Sequence, residues 1–227
     1  MSVRDIGLFL QSARTDARIV KLSGTVGQAA ALETVYAESG DPWASGSACY
    51  RYQRRKYEVL DGLLADRRFG DALDLGCGLG LLCRHLAARA DRVLGVDVAP
   101  SAVAEAKRRS ADLPQISYEC HDIQGLPAEF AVRFDLVTIA DVLYYLDPLP
   151  DALLKAMARR VAGLLAPGGV CLLANHYFFR ADPESRRTQR IHDAFRWCPD
   201  LTVVSEHRHA FFVSTMLAKA PASAAPN

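Results

Sequence analysis

The chain has 227 residues, half of them apolar and 23% charged, and its 27 Lys and Arg nearly balance 26 Asp and Glu, with a pI near 7.7. That balance lacks the cationic surplus that phosphate backbones select, so no nucleic-acid partner is expected. The longest apolar runs, such as Val170 to Ala174, fall far short of the roughly 20 residues that span a bilayer, and Arg14 and Asp16 interrupt Ile6 to Leu10 too soon for a secretory signal. One cytoplasmic protein without membrane association is the expectation.

The first 65 residues are helix-prone without a complete strand, and Trp43 to Tyr57 forms an aromatic and basic cluster. Residues 1–65 should form a helical lid on the C-terminal edge of a sheet. From Ala72 onward short β-rich runs alternate with helical segments, the signature of a parallel sheet wrapped by helices. Ala72 to Leu75, Arg92 to Asp97, Ile116 to Asp122, Phe134 to Ala140 and Val170 to Asn175 read as strands, being rich in Val, Leu and Ile and bounded by Gly, Pro or Asp. Helices are predicted over Leu79 to Ala90, where Leu82, Leu86 and Ala90 share a stripe, over Pro100 to Ala111, and over Asp151 to Ala166, ahead of Pro167-Gly168-Gly169. A looser stretch, His176 to Arg180, leads to Asp182-Pro183, where Asp182 can cap a helix reaching about Trp197. Leu201 to His207 and Ala210 to Leu217 lie two residues apart and should pair as an antiparallel hairpin. The core is thus expected over residues 66–218, followed by an Ala, Pro and Ser tail, 219–227, expected to be disordered.

Six cysteines are present without a C-x-x-C pair, and Cys120 and Cys171 sit in strand-like runs where a small buried thiol is expected. His207 and His209 have no third ligand nearby, so no metal is expected.

The most informative residues are Leu73-Asp74-Leu75-Gly76-Cys77-Gly78-Leu79-Gly80, a strand that breaks into a glycine turn and opens a helix. Gly76 can supply the dihedrals of the sharp turn, Gly78 lets a ligand approach the backbone, and Gly80 lets the next helix pack on the sheet. Asp97 follows Gly76 by 21 residues, at the end of the second strand, where a carboxylate can accept hydrogen bonds from both ribose hydroxyls. The dinucleotide fingerprint G-x-G-x-x-G would need glycine at position 81, which is leucine here. Asp74 suits a ligand ammonium group and is poor beside a diphosphate.

This pattern resembles the first motif of the class I S-adenosylmethionine-dependent methyltransferases. It is joined by Asp122-Ile123 after the third strand, and by Phe134-Asp135-Leu136-Val137 running into Ala140-Asp141-Val142-Leu143-Tyr144-Tyr145-Leu146. Asp41-Pro42-Trp43, the Asp141 to Leu146 segment and Leu165-Ala166-Pro167-Gly168-Gly169-Val170 bring a closer resemblance, to the nodulation protein S family of N-methyltransferases, over roughly residues 41–175. That family usually has glutamate where this chain has Asp141. The resemblance implies an α/β, Rossmann-like fold, with a seven-stranded, mostly parallel sheet, a C-terminal antiparallel hairpin and helices on both faces. It also implies S-adenosyl-L-methionine as cofactor. Asp74 and the backbone of Gly76, Cys77 and Gly78 would hold its methionine part, Asp97 the ribose, Val98 the adenine face, and Asp122 and Ile123 the rest of the adenine pocket. Ala140 would border the sulfonium, Asp141 would face the methyl group, and Gly80 and Trp43 complete the expected cofactor set.

A primary amine near pKa ~10 is mostly protonated at neutral pH, so an amine acceptor needs a group that takes its proton. Asp141, His176 and Tyr145 are the candidates, beyond the ends of the fourth and fifth strands where open α/β sheets bind ligands. Asp141 can equally cap local backbone, and of the adjacent Tyr144 and Tyr145 one should face the site while the other packs. The expected partner is a small-molecule acceptor, with nitrogen preferred on resemblance alone. An O-methyltransferase and a non-catalytic cofactor-binding protein are the competing readings, and the protein should be a monomer or a homodimer.

Overall fold

The computed structural model describes residues 3–178 and 182–222. Phe179 and Arg180 of the looser stretch, and residues 223–227 of the tail, lie outside the described residues. Helices α1 (Val3–Val26), α2 (Gln28–Ser39) and α3 (Arg51–Leu63) precede an alternation of β1 (Phe69–Leu75), α4 (Leu81–Leu86), β2 (Ala90–Asp97), α5 (Pro100–Arg109), β3 (Ile116–Cys120), β4 (Phe134–Ala140), α6 (Asp151–Leu164), β5 (Leu165–His176), α7 (Pro183–Arg196), β6 (Leu201–Arg208) and β7 (Phe212–Lys219). The strands are ordered β3-β2-β1-β4-β5-β7-β6 in one seven-stranded sheet. β2 runs parallel to β3, and β4 parallel to both β1 and β5. β7 is antiparallel to β5 and to β6, so the sheet is Rossmann-like and mostly parallel, closed by the C-terminal hairpin.

The chain folds as two compact units, Met1–Arg68 with Gly76–Ile123, and Phe69–Leu75 with Gln124–Asn227. In the first, α2 and α3 are tied to the βα elements, and α1 to the turn that follows α2, by polar contacts with clear causes. The Glu33 carboxylate of α2 accepts the backbone N–H and hydroxyl of Ser101 in the first turn of α5, where unpaired amides and the helix dipole favour an anion. Asp61 of α3 makes a two-pronged ion pair with Arg89. Asp41-Pro42-Trp43 is a built turn: Asp41 accepts the amides of Ser45 and Gly46, and the Trp43 indole donates to Asp16 of α1 at 2.8 Å.

In the second unit, β4 lies in the core, with Phe134, Leu136, Val137 and Ile139 fully buried. The Asp182 carboxylate accepts the Ser185 amide at 2.8 Å and Pro183 opens α7, the predicted cap and first turn.

Four expectations change. Ala90 does not continue the helix stripe of Leu82 and Leu86; α4 stops at Leu86 and Ala90 begins β2. The hairpin connection is three residues, His209 to Phe211, because Arg208 pairs with Val213 and Ala210 leaves the strand. Lys219 is not tail: it ends β7 and its ammonium donates to the Leu165 carbonyl at 2.7 Å. Cys171 is buried as expected, whereas Cys120 is exposed, since β3 is an edge strand with only β2 beside it.

Candidate functional site

The glycine turn belongs to the first unit. Gly76, Gly78 and Gly80 all have positive φ, of 70°, 50° and 73°, conformations that L side chains rarely adopt. The amides of Gly76 and Cys77 both donate to the Val96 carbonyl, at 2.7 and 2.9 Å. Gly78 donates to Asp97 Oδ2 at 2.9 Å, and Ala99 to Asp97 Oδ1 at 3.0 Å. Asp97 therefore locks the turn to the end of β2 and is itself fixed in orientation. Only 7% exposed, its carboxyl is raised above the usual range, chiefly by burial, against which the backbone hydrogen bonds pull down.

This wiring tests the turn against two ligand chemistries. A diphosphate is held by a rosette of amides and a helix N-terminus, but here the amides of Gly76, Cys77 and Gly78 are spent inside the protein and α4 has only 6 residues. An ionised carboxylate has about four acceptor positions, so Asp97 retains capacity for two ribose hydroxyls after accepting two amides. The turn fits a nucleoside joined to an amino acid.

Gly80 has a different reason from the helix packing expected of it. A Cβ there would lie 2.2 Å from the Tyr118 hydroxyl, which is paired with the Ser110 hydroxyl at 2.8 Å in a buried site. Substituting Gly80→Ala should cost about 3 kcal/mol from the left-handed backbone and the displaced ring, measured by urea unfolding; a change below about 0.5 kcal/mol would remove this account.

Of the adenine candidates, Ile123 is buried, Val98 is half-buried and Asp122 is exposed just beyond β3. Trp43 packs its ring 5.3 Å from that of Tyr36, against a cluster of Leu79, Ala99 and Ala102. Tyr36, which sequence reasoning did not single out, packs beside the turn. Its hydroxyl stands 2.8 Å from where a Gly78 Cβ would sit.

The second unit holds the other candidates. Asp74, 2% exposed on β1, accepts the Thr138 hydroxyl of β4 at 2.7 Å. Ala140 ends β4 opposite Ala174 of β5. Asp141 then leaves the strand at φ 59°, its amide bonded to the Ala174 carbonyl. Asp141 Oδ1 accepts the His176 amide at 2.9 Å and lies 3.7 Å from His176 Nδ1. The imidazole meets Tyr144 edge-on at 4.7 Å, and Tyr144 contacts Tyr145 at 4.5 Å. Asp141, His176 and Tyr144 thus form one cluster, while Tyr145 reaches it through Tyr144. A non-glycine residue in the left-handed region at a strand exit is strained, and such strain gathers at functional sites.

Residues 28–176 match the model of the Nodulation protein S (NodS) family. The chain is 34% identical over 130 residues to Nodulation protein S of Bradyrhizobium diazoefficiens, covering 56% of this chain and 58% of that one. It is 37% identical over 103 residues to the ubiquinone biosynthesis O-methyltransferase of Xanthomonas campestris pv. campestris, covering 45% and 41%. The chain spans about half the length of the curated relatives it matches. Among solved structures it is similar in fold to N-methyltransferase NodS from Bradyrhizobium japonicum WM9 in complex with S-adenosyl-L-homocysteine, with a TM-score of 0.69 and 24% identity over 83% of this chain and 96% of that one.

Proposed function

We propose that this chain, which belongs to the Nodulation protein S (NodS) family, is an S-adenosylmethionine-dependent methyltransferase acting on an amine nitrogen of a small molecule. The observation that carries the reading is Asp97, a buried carboxylate oriented by the Gly78 and Ala99 amides at the end of β2. Family membership supports the chemistry. The nitrogen preference draws on the solved relative described as an N-methyltransferase.

Asp97 is assigned to the ribose hydroxyls, Val98, Asp122 and Ile123 to the adenine, and Asp74 with the Gly76 to Gly78 turn to the amino-acid part. Trp43 and residues 1–65 are assigned to covering the turn. The cofactor supplies a methyl group on a sulfonium, an electrophile open to in-line displacement by a lone pair. Ala140 borders the sulfonium in this reading, and Asp141 accepts the acceptor's proton. A carboxylate is a weak base for an ammonium in water, and desolvation of the amine narrows that gap by disfavouring its charged form. His176 and Tyr144 fix the direction of the Asp141 carboxyl, the first through its amide and the second by packing on the imidazole.

The test is cofactor consumption against a panel of primary amines and hydroxylated analogues of the same skeletons. Release of S-adenosylhomocysteine with amines alone is expected. Turnover only with hydroxyl acceptors would move the reading to O-methylation, the activity named for the Xanthomonas relative. Tight product binding without turnover across the panel would make the protein a cofactor-binding partner.

A further inference from the structure

We propose that the groove between α6 and α7 is a second ligand site, which takes a planar aromatic anion with its ring on Trp197 and its carboxylate or phosphate on Lys155 and Arg159. The inference stands apart from the methyltransferase reading, because none of these residues belongs to the glycine turn or to the Asp141 cluster. The groove holds a cavity of about 600 Å³ bordered by both helices. That volume falls within the roughly 300–1,000 Å³ of small-molecule pockets.

Three side chains of its lining are uncommitted. Trp197, just past the end of α7, is 78% exposed, more than any other large apolar residue among the described residues, and it meets no other aromatic ring there. A tryptophan left in water forgoes the burial that its large ring could provide. Lys155 and Arg159 are exposed and stand one turn apart on α6, where like charges repel. The carboxylates of the groove are already claimed. Asp151 pairs with Arg190 at 2.7 Å, and Asp193 pairs with Arg196. Arg190 is the first cause that lowers the Asp151 pKa, and Lys155 is the last. Neither Lys155 nor Arg159 makes a hydrogen bond or ion pair among the described residues. The two cations call for a negative charge and the indole for a flat face, while the buried Leu154 adds an apolar wall. An inorganic anion would leave the indole uncovered, and a neutral ring would leave the cations unpaired. A molecule that joins an acid to a ring meets both needs.

The test is calorimetric titration with two aromatic anions, guanosine 5′-monophosphate and 1-naphthoate, and their neutral counterparts, guanosine and 1-naphthalenemethanol. At least one anion should bind with a Kd below about 1 mM, and the tighter of the two identifies a phosphate or a carboxylate as the acid. That anion should bind about fivefold or more tightly than its neutral counterpart. Trp197→Ala, and Lys155→Gln combined with Arg159→Gln, should each weaken it by about fivefold or more. All three side chains are exposed, so both variants should keep the thermal midpoint of the unsubstituted protein, and a lost affinity then reports the site rather than the fold. No binding of either anion at about 1 mM overturns the proposal. Equal affinity for the anion and its neutral counterpart does the same by removing the cations from the site, and unchanged affinity in either variant does so by placing the ligand elsewhere.

Discussion

Asp97→Ala is expected to weaken S-adenosylhomocysteine binding by roughly 100- to 10,000-fold in calorimetric titration. Two hydroxyl donors onto one buried carboxylate are charge-assisted bonds, each contributing about 1.5–3 kcal/mol. The carboxylate also holds the turn, so part of the loss comes from freeing the Gly78 and Ala99 amides. Affinity should depend on pH with a definite sign. Accepting two hydroxyls requires the ionised form, and burial raises the Asp97 pKa. Binding is therefore full above that raised pKa and falls as pH drops through it, at less acid pH than an exposed carboxylate would give. The alanine variant should lose this acid limb along with the affinity. Unchanged affinity in Asp97→Ala would remove the ribose assignment, and with it the main support for the cofactor.

The sequence made the alternating architecture readable because the central strands are buried on both sides. β4 matches at both ends, since Phe134 to Ala140 is apolar almost throughout and Asp141 breaks the extended run. What local pattern could not show depends on partners far along the chain. β1 begins at Phe69, before its apolar run, because the Asp135 carboxylate accepts the amides of Gly70 and Asp71. Ala90 carries the helix stripe but is claimed by β2, a case of tertiary pairing overriding periodicity. Cys120 reads as a core thiol because alternation does not distinguish an edge strand from a central one.

The same division holds for the candidate site. The glycines and Asp97 were legible, because a turn with three positive φ values needs glycine and Asp97 stands at the next strand's end, 21 residues beyond Gly76. Tyr36 was not. On α2 it continues the buried positions Ala31 and Val35 and looks like an ordinary core tyrosine. Its distinguishing property, a hydroxyl 2.8 Å from where a Gly78 Cβ would sit, exists only once α2 is packed beside the turn.

Asp141→Asn should lower kcat by about 100-fold or more while leaving S-adenosylhomocysteine affinity within about threefold, the pattern for a lost proton acceptor. Asparagine keeps the size of the side chain, and its carbonyl oxygen can still accept the His176 amide, so the strand exit is preserved. What it cannot do is take a proton. The competing role, a local cap that merely secures the β4 exit against β5, makes the opposite forecast: Asn would then restore nearly full turnover and only Ala would be damaging. The pair of variants separates the two through chemistry rather than stability. A further discriminator is the acceptor's own ionisation. If Asp141 receives the proton, the residual activity of Asp141→Asn should rise with pH as free amine accumulates in solution, toward the amine's pKa near ~10. If Asp141 only shapes the exit, both proteins should share one pH profile. Turnover of Asp141→Asn equal to the unsubstituted protein at neutral pH would pass the proton to another group, with His176, 3.7 Å away, next in line.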